Sequence, residues 1–311
     1  MTFVATLISN PAAPSLDAAA IGRARGELPS PQTPIWLDPG IAADIPFTGS
    51  RENTQADEKR ALTERVRAAL GGTPIDVVLQ GASGRRKRLF LADMDSTMIG
   101  QECIDELADY VGVKRQVAAI TERAMRGEIE FAPALRERVA LLKGLPASVA
   151  DEVIAERISL TPGASTLIAT LRKNGAYTCL VTGGFTLFTR RVAAMTGFDE
   201  DRANTLIVDA EGRLTGQVAE PIFGREAKLA TLIELTRRLG LAPDATLVAG
   251  DGANDIAMIE AAGLGVAYHA KPNVAKAAAA RVDHGDLTAL LYAQGYRREE
   301  FVSDAAPLSR G

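Results

Sequence analysis

Short apolar runs and amphipathic stretches alternate along the chain, and their rhythm changes near residue 85. Before that point Phe3–Ile8 is an apolar run of strand length, Ser15–Gly26 carries a modest helical period, and Thr33–Leu37 and Ile41–Phe47 are two further strand candidates. Gln55–Leu70 spaces its apolar residues as an amphipathic helix does, and Ile75–Leu79 is a last apolar strand. The order βαββαβ predicts an α+β domain of ferredoxin-like arrangement over residues 1–84. Gly81-Ala82-Ser83-Gly84 then predicts a flexible boundary.

Beyond it, Leu89-Phe90-Leu91-Ala92, Tyr177–Val181 and Thr246–Ala249 are short, wholly apolar runs, with Gly265–Tyr268 a weaker fourth. Runs of that kind suit strands buried on both faces of a parallel sheet. The stretches Gly163–Asn174, Thr186–Thr196, Ala227–Leu239 and Asn254–Ala262 predict the helices between them. The fold class is therefore α/β, a doubly wound parallel-sheet core spanning residues 85–100 and 161–296. Thr205–Val208 and Leu214–Val218 flank Asp209-Ala210-Glu211-Gly212, which predicts a hairpin.

Residues 101–160 interrupt the core with four helical segments, Glu102–Tyr110, Lys114–Arg126, Phe131–Leu142 and Ala147–Ile158. An insert that follows a strand's carboxyl end stands where open α/β sheets bind ligands, so it is expected to act as a helical cap. Residues 297–311 are expected to form a tail whose Pro307–Gly311 end frays.

Composition narrows the function classes. Apolar residues are 47% and charged residues 24% of 311, the balance of a soluble globular protein. A net charge of −4 without a long cationic block gives no nucleic-acid groove and no membrane patch. The most basic run, Arg85-Arg86-Lys87-Arg88, reads as a solvated linker flank. Cys103 and Cys179 build no disulfide framework and read as buried small hydrophobes, and His269 and His284 lack zinc spacing. No signal peptide and no membrane span is recognisable, so a cytoplasmic location is expected.

Candidate chemistry collects where apolar strands end. The first run leads into Asp93-Met94-Asp95-Ser96-Thr97, the second into Thr182-Gly183-Gly184, and the third into Gly250-Asp251-Gly252-Ala253-Asn254-Asp255. Converging carboxylates need a cation, and hard oxygen ligands beside a phosphate suit Mg²⁺. Two carboxylates two residues apart can divide nucleophilic attack on phosphorus from proton transfer. Lys228 is a candidate cation for the phosphoryl group, and the Thr182 hydroxyl with the Gly183 and Gly184 amides are candidate donors to it. Taken singly, Asp93 and Asp95 would read as an ordinary acidic turn; the ordered set of strand-end motifs reverses that reading.

The set Asp93-x-Asp95-x-Thr97, Thr182-Gly183-Gly184, Lys228 and Gly250-Asp251-Gly252-x-Asn254-Asp255 resembles the haloacid dehalogenase superfamily of phosphatases over roughly Leu89 to Leu291. Within that superfamily it is similar to the phosphoserine phosphatases. The resemblance implies that Asp93 is the nucleophile and a Mg²⁺ ligand. It implies that Asp95 is the acid/base and a ligand through its backbone carbonyl, and that Asp251 is the other carboxylate ligand, with Asp255 in support. One Mg²⁺ per active site is implied. Thr182 and Lys228 match the phosphate-stabilising pair, and Asn254 a residue near the phosphate and the attacking water.

For a phosphoserine substrate the same resemblance places Glu102 at the ammonium and Arg138 at the carboxylate, with Met125 and Phe131 closing over the ligand. A bidentate grip on a carboxylate favours Arg over Lys. Read as helix positions alone, Glu102 complements a helix dipole, Arg138 is a solvated cation, and Arg136 competes for its role. Residues 1–84 resemble the ACT-like domains, but Ser9-Asn10-Pro11-Ala12-Ala13-Pro14 lacks the glycine of an amino-acid-binding member. A scaffold role, with a possible homodimer, is expected instead of serine sensing. Alternatives are a relative acting on another small phosphomonoester such as phosphohomoserine, or an inactive binding module, which intact motifs disfavour.

Overall fold

The structure is a computed structural model that describes residues 2–49, 56–126 and 128–302. Its N-terminal part runs β1 (Thr2–Ser9), α1 (Ala18–Glu27), β2 (Ile35–Asp38), β3 (Ala42–Thr48), α2 (Ala56–Ala69) and β4 (Ile75–Gly81), in the order expected. The strands form one antiparallel sheet ordered β2-β3-β1-β4. Position 55, where the predicted helix begins, lies outside the described residues.

Strand side chains alternate between faces, and here both faces are covered. Phe3, Ala5 and Leu7 of β1, with Ile75, Val77 and Leu79 of β4, pack with residues of α1 and α2 such as Ile21, Leu62 and Val66. The opposite face sends Ile8 and Val78 into the core cluster of the larger half. Burial on both sides explains why these strands read as apolar runs.

The charge run that follows corrects the solvated-linker expectation. Arg85 reaches Asp44 at 2.6 Å and donates to the carbonyls of Tyr292 and Ala293. Lys87 is 8% exposed and donates to the carbonyls of Gly84 and Asp244. Arg86 pairs with Glu300 and lies over the Tyr296 ring. Buried cations persist when each N–H finds an acceptor. These acceptors lie far off in sequence, so composition alone suggested a linker.

The larger half is built on a parallel sheet ordered β12-β11-β10-β5-β6-β7. Its members are β5 (Leu89–Ala92), β6 (Tyr177–Phe185), β7 (Glu200–Asn204), β10 (Thr246–Gly250), β11 (Leu264–Tyr268) and β12 (Ala280–Val282). Phe90 and Ala92 face one layer, while Leu89 and Leu91 face the other. The helices are α7 (Ala164–Lys173), α8 (Thr186–Thr196), α9 (Arg225–Arg238), α10 (Ile256–Ala261), α11 (Pro272–Ala277) and α12 (Ala289–Ala293). Two of these strands and two of these helices were not expected. β7 is a polar edge strand whose Glu200 and Arg202 are ion-paired, and β12, α11 and α12 are short.

The insert supplies α3 (Cys103–Tyr110), α4 (Lys114–Met125), α5 (Phe131–Ala140) and α6 (Val149–Arg157). An antiparallel bridge between Ile99 and Leu160 closes its neck. The expected hairpin forms as β8 (Leu206–Val208) and β9 (Leu214–Val218), and it docks on the insert through Gly144 N–H to Leu214 O and Leu214 N–H to Leu145 O. Residues 298–302 fold back, with Phe301 against Tyr292 and the Val302 amide on Thr170. The expected frayed end at 307–311 lies outside the described residues. No helix among the described residues is long and apolar enough to cross a membrane.

Candidate active site

β5 delivers Asp93 at the sheet's carboxyl edge, where its N–H is held by Ala249 O of β10 and its carboxylate caps the Met94 amide at 2.7 Å. The chain then turns sharply, with Ser96 at φ 53°. The turn directs Asp95 toward α3, whose Cys103 N–H donates to it at 2.9 Å. The other Asp95 oxygen accepts from the Thr182 hydroxyl at 3.1 Å, and Gly184 N–H donates to that hydroxyl at 3.0 Å. A Cβ on Gly184 would lie 3.0 Å from Asp95, so glycine lets the two loops approach. Burial, and then the charges of Glu102 and Asp93, push the Asp95 carboxyl up to about 7.

Lys228 rises fully buried from α9, 2.9 Å from Asp93 Oδ1 and 2.7 Å from Asp255 Oδ1. Burial alone would lower its ammonium, but Asp93 and Asp255 outweigh burial and hold it above the usual range. Asp255 also accepts from Gly252 N–H, and its carboxyl lies 2.5 Å from where a Gly250 Cβ would stand. Gly250 is therefore required for this packing. A buried lysine with two carboxylate partners is a fixed charge held against Asp93.

Asp93, Asp251 and Asp255 bring carboxylate oxygens within 4.8 Å of one another. Thr97 donates to Asp251 at 3.3 Å. Burial and the Asp93 charge push Asp251 up to about 6 and Asp255 up to about 8, with Lys228 opposing in both cases. Crowded, hard, partly desolvated oxygens that resist ionisation suit a divalent cation of the Mg²⁺ type, which relieves their repulsion.

Above this floor opens a cavity of about 160 Å³. Asp93, Asp95, Thr182, Gly183, Gly184, Asp251 and Asn254 line it, with Glu102, Phe131 and Arg138 from the insert. Lys228 and Asp255 lie beneath, buried behind Asp93. Arg138 is half-buried, donates to Ala134 O and Thr121, and has its basicity lowered by burial, with Asp105 and Glu102 opposing. Arg136 instead pairs with Glu220 outside the cavity, which separates the two arginines. Glu102 stands exposed at the mouth, holding the Ser96 hydroxyl at 2.8 Å. The Phe131 ring spans Gly183 and Gly224, 3.1 and 3.3 Å from where their Cβ atoms would stand. Met125 ends α4, and its side chain lies outside the described residues.

Two polar residues were missed. Asn204, 2% exposed at the end of β7, donates to Gly183 O and Phe223 O and accepts from Phe223 N–H, tying the Gly183–Gly184 loop to the segment that leads to Lys228. A polar edge strand carries no apolar signal. Lys271 also lines the cavity; its Lys-Pro pair reads locally as a helix start.

A family model described as haloacid dehalogenase-like hydrolase matches residues 90–260. A phosphoserine phosphatase of Streptomyces coelicolor is 45% identical over 244 residues, 76% of this chain and 59% of that protein, so the chain spans under two thirds of that relative. A phosphoserine phosphatase of Polaromonas sp. is 46% identical over 209 residues, 66% of this chain and 88% of its own. A solved haloacid dehalogenase-family hydrolase of Salmonella enterica serovar Typhi superposes with a TM-score of 0.79 at 28% identity, over 94% of this chain and 98% of its own.

Proposed function

The chain belongs to the haloacid dehalogenase-like hydrolase family, and we propose that it is a phosphoserine phosphatase acting through an aspartyl-phosphate on Asp93. The observation that carries this reading is the shared cavity, with Asp93 and Asp95 on its floor and Glu102 and Arg138 on its walls. The name of the Polaromonas relative, most of whose length the chain covers, supports the same substrate.

In the proposed reaction an Asp93 oxygen attacks phosphorus as the bond to the serine oxygen breaks, and protonated Asp95 gives its proton to that oxygen. An upward-shifted Asp95 suits this donation. Water then attacks the phosphoryl group, Asp95 takes its proton, and Asp93 is released as carboxylate. Lys228 fixes Asp93, while Thr182 and the amides of Gly183 and Gly184 offer donors to phosphoryl oxygens. Asn254, folded over Gly252 at the cavity, is read as a neighbour of the phosphate. Asp93, Asp251 and the Asp95 carbonyl would hold one Mg²⁺, with Asp255 in support. Bound there, Mg²⁺ supplies positive charge to the phosphoryl oxygens.

Arg138 takes the substrate carboxylate and Glu102 the ammonium, with Phe131 as the closing wall. Among the described residues no carboxylate pairs with Arg138; its Nε and Nη1 make only long bonds, to Ala134 O and Thr121, and Nη2 is left for a ligand. We read residues 1–84 as an ACT-like, ferredoxin-like scaffold, 101–160 as the cap and the rest to 296 as the catalytic core. Free, buried Cys103 and Cys179 suit a reducing, cytoplasmic setting.

The test is phosphate release from L-phosphoserine, phosphohomoserine and p-nitrophenyl phosphate, with Mg²⁺ or EDTA. Wild type is expected to prefer L-phosphoserine and to need Mg²⁺. Arg138→Lys should raise KM for phosphoserine about tenfold or more, whereas Arg136→Lys should change it little. Turnover of the aryl phosphate without preference among the amino-acid esters would overturn the roles of Glu102 and Arg138.

A further inference from the structure

Among the described residues, Lys271 is the one cavity-lining cation besides Arg138. It occupies the position before α11, where Ser, Thr, Asp or Asn would cap the helix and where a cation opposes the helix dipole. Its side chain makes no capping bond, and its ammonium forms no ion pair among the described residues. Its backbone, by contrast, is fixed from both directions. The N–H donates to Asp251 O at 3.3 Å, and the carbonyl accepts from Val274 and Ala275. The Lys271 charge reaches the cavity, where it counters the upward push on Asp251.

The segment that carries Lys271 is held from an unexpected direction. His269 adopts φ 43°, a left-handed conformation uncommon for residues with a side chain. Its N–H donates to Val282 O at 2.8 Å, and its ring Nε2 lies 2.9 Å from Gly285 O. Gly285 is gripped in turn by Asp76 of β4, in the N-terminal sheet. That carboxylate is 2% exposed and accepts from the backbone N–H groups of Asp283, His284 and Gly285, the last at 2.7 Å. Asn10, in the connection that lacks an effector-binding glycine, adds a bond to His284 O at 2.9 Å. A continuous path of short bonds thus runs from the N-terminal sheet through the 283–285 loop and His269 to the backbone that presents Lys271.

We propose that Lys271 recruits the anionic substrate to the cavity, and that Asp76 and His269 are positioning residues which set its place from the N-terminal sheet. The identity of the substrate rests on the phosphatase reading above; the recruitment of a phosphate-bearing anion does not. An exposed ammonium at the mouth of a cleft accelerates and tightens capture of an anion without touching the bond that breaks. The N-terminal unit then serves catalysis as a fixed abutment.

The experiment combines a binding and a kinetic arm. Inorganic phosphate is titrated calorimetrically into wild type, Lys271→Met, Lys271→Arg and Lys276→Met in Mg²⁺. Lys271→Met should weaken phosphate about tenfold, Lys271→Arg should stay within about threefold of wild type, and Lys276→Met, on the same helix but outside this cavity, should match wild type. Absence of phosphate binding by wild type, or equal binding by Lys271→Met, overturns the recruiting role whatever the substrate proves to be. Phosphate binding that depends on Lys271, in a protein inert toward phosphoserine, would instead sink the substrate reading and leave this proposal standing.

In steady-state assays Lys271→Met should raise KM about tenfold, keep kcat within about threefold, and flatten the salt dependence of kcat/KM. Asp76→Asn and His269→Gly, the latter free to keep φ 43°, should each raise KM in the wild-type background and change it less than about twofold in the Lys271→Met background. His269→Gly carries the test if Asp76→Asn does not fold. Additive effects in the double variants would show that the path does not act through Lys271.

Discussion

Asp93 and Asp95 stand two residues apart, yet their neighbours give them opposite surroundings. Asp93 is pinned to the buried Lys228 ammonium, whereas Asp95 sits between the Thr182 hydroxyl and the Cys103 amide and is pushed toward its protonated form. The same physics sets the metal-free protein under strain at Asp251. Its carboxyl is raised to about 6, so its protonated form is favoured by folding. The associated stability is present below the unfolded value of about 4 and is lost as pH rises through about 6. In EDTA, the melting temperature of Asp251→Asn relative to wild type should therefore climb across that window. Mg²⁺ should reverse the order by stabilising wild type, by about 2.7 kcal/mol at a hundredfold excess over Kd. A difference that does not change with pH would contradict the raised carboxyl. The Asp93–Thr97, Thr182–Gly184 and Gly250–Asp255 motifs were legible at this scale because each stands at the end of an apolar strand, whereas Lys228 lies within α9. That Arg138 and not Arg136 lines the cavity could be expected only through family resemblance, since both lie on one helix among other charged residues.

At the scale of elements, four of the six strands of the parallel sheet and the four insert helices were readable because burial on two faces makes apolar runs and burial on one face makes a 3.6-residue period. β7 escaped that logic. Its Glu200 and Arg202 are satisfied by Arg238 and Glu234, and its last residue, Asn204, bonds two loops that the chain separates. Asn204→Leu should leave three backbone groups without their partner. The expected cost is about 1–3 kcal/mol in chemical denaturation, together with a fall in kcat as Gly183 and Phe223 lose their mutual register. Full activity with unchanged stability would remove Asn204 from the account. The hairpin β8–β9 teaches a related point. Its turn was legible locally, but its docking on the insert rests on pairing between residues 144–147 and 212–214.

At the scale of the whole molecule, the break near residue 85 is a boundary in pattern and a weld in space. Arg85 joins Asp44 to the carbonyls of Tyr292 and Ala293, and Gln80 donates to Ala293 across 213 residues of sequence. No local pattern encodes contacts of such separation, so a charge run with buried partners resembled a linker. The single tryptophan, Trp36, lies in the N-terminal sheet and reports on that part alone. Its fluorescence and the far-ultraviolet circular dichroism should lose their native signals at one shared midpoint in denaturant. Arg85→Met should separate the two midpoints. Separate midpoints in wild type would mean that the two parts unfold independently.

The proposed reaction passes through a covalent phosphoryl group on Asp93. Acid-quenching the enzyme during turnover of L-phosphoserine in Mg²⁺, followed by peptide mass spectrometry, measures it directly. A transient mass increase of one phosphoryl group is expected on the peptide containing Asp93, absent in Asp93→Asn. Steady turnover with no modification of that peptide, or turnover retained by Asp93→Asn, would contradict it.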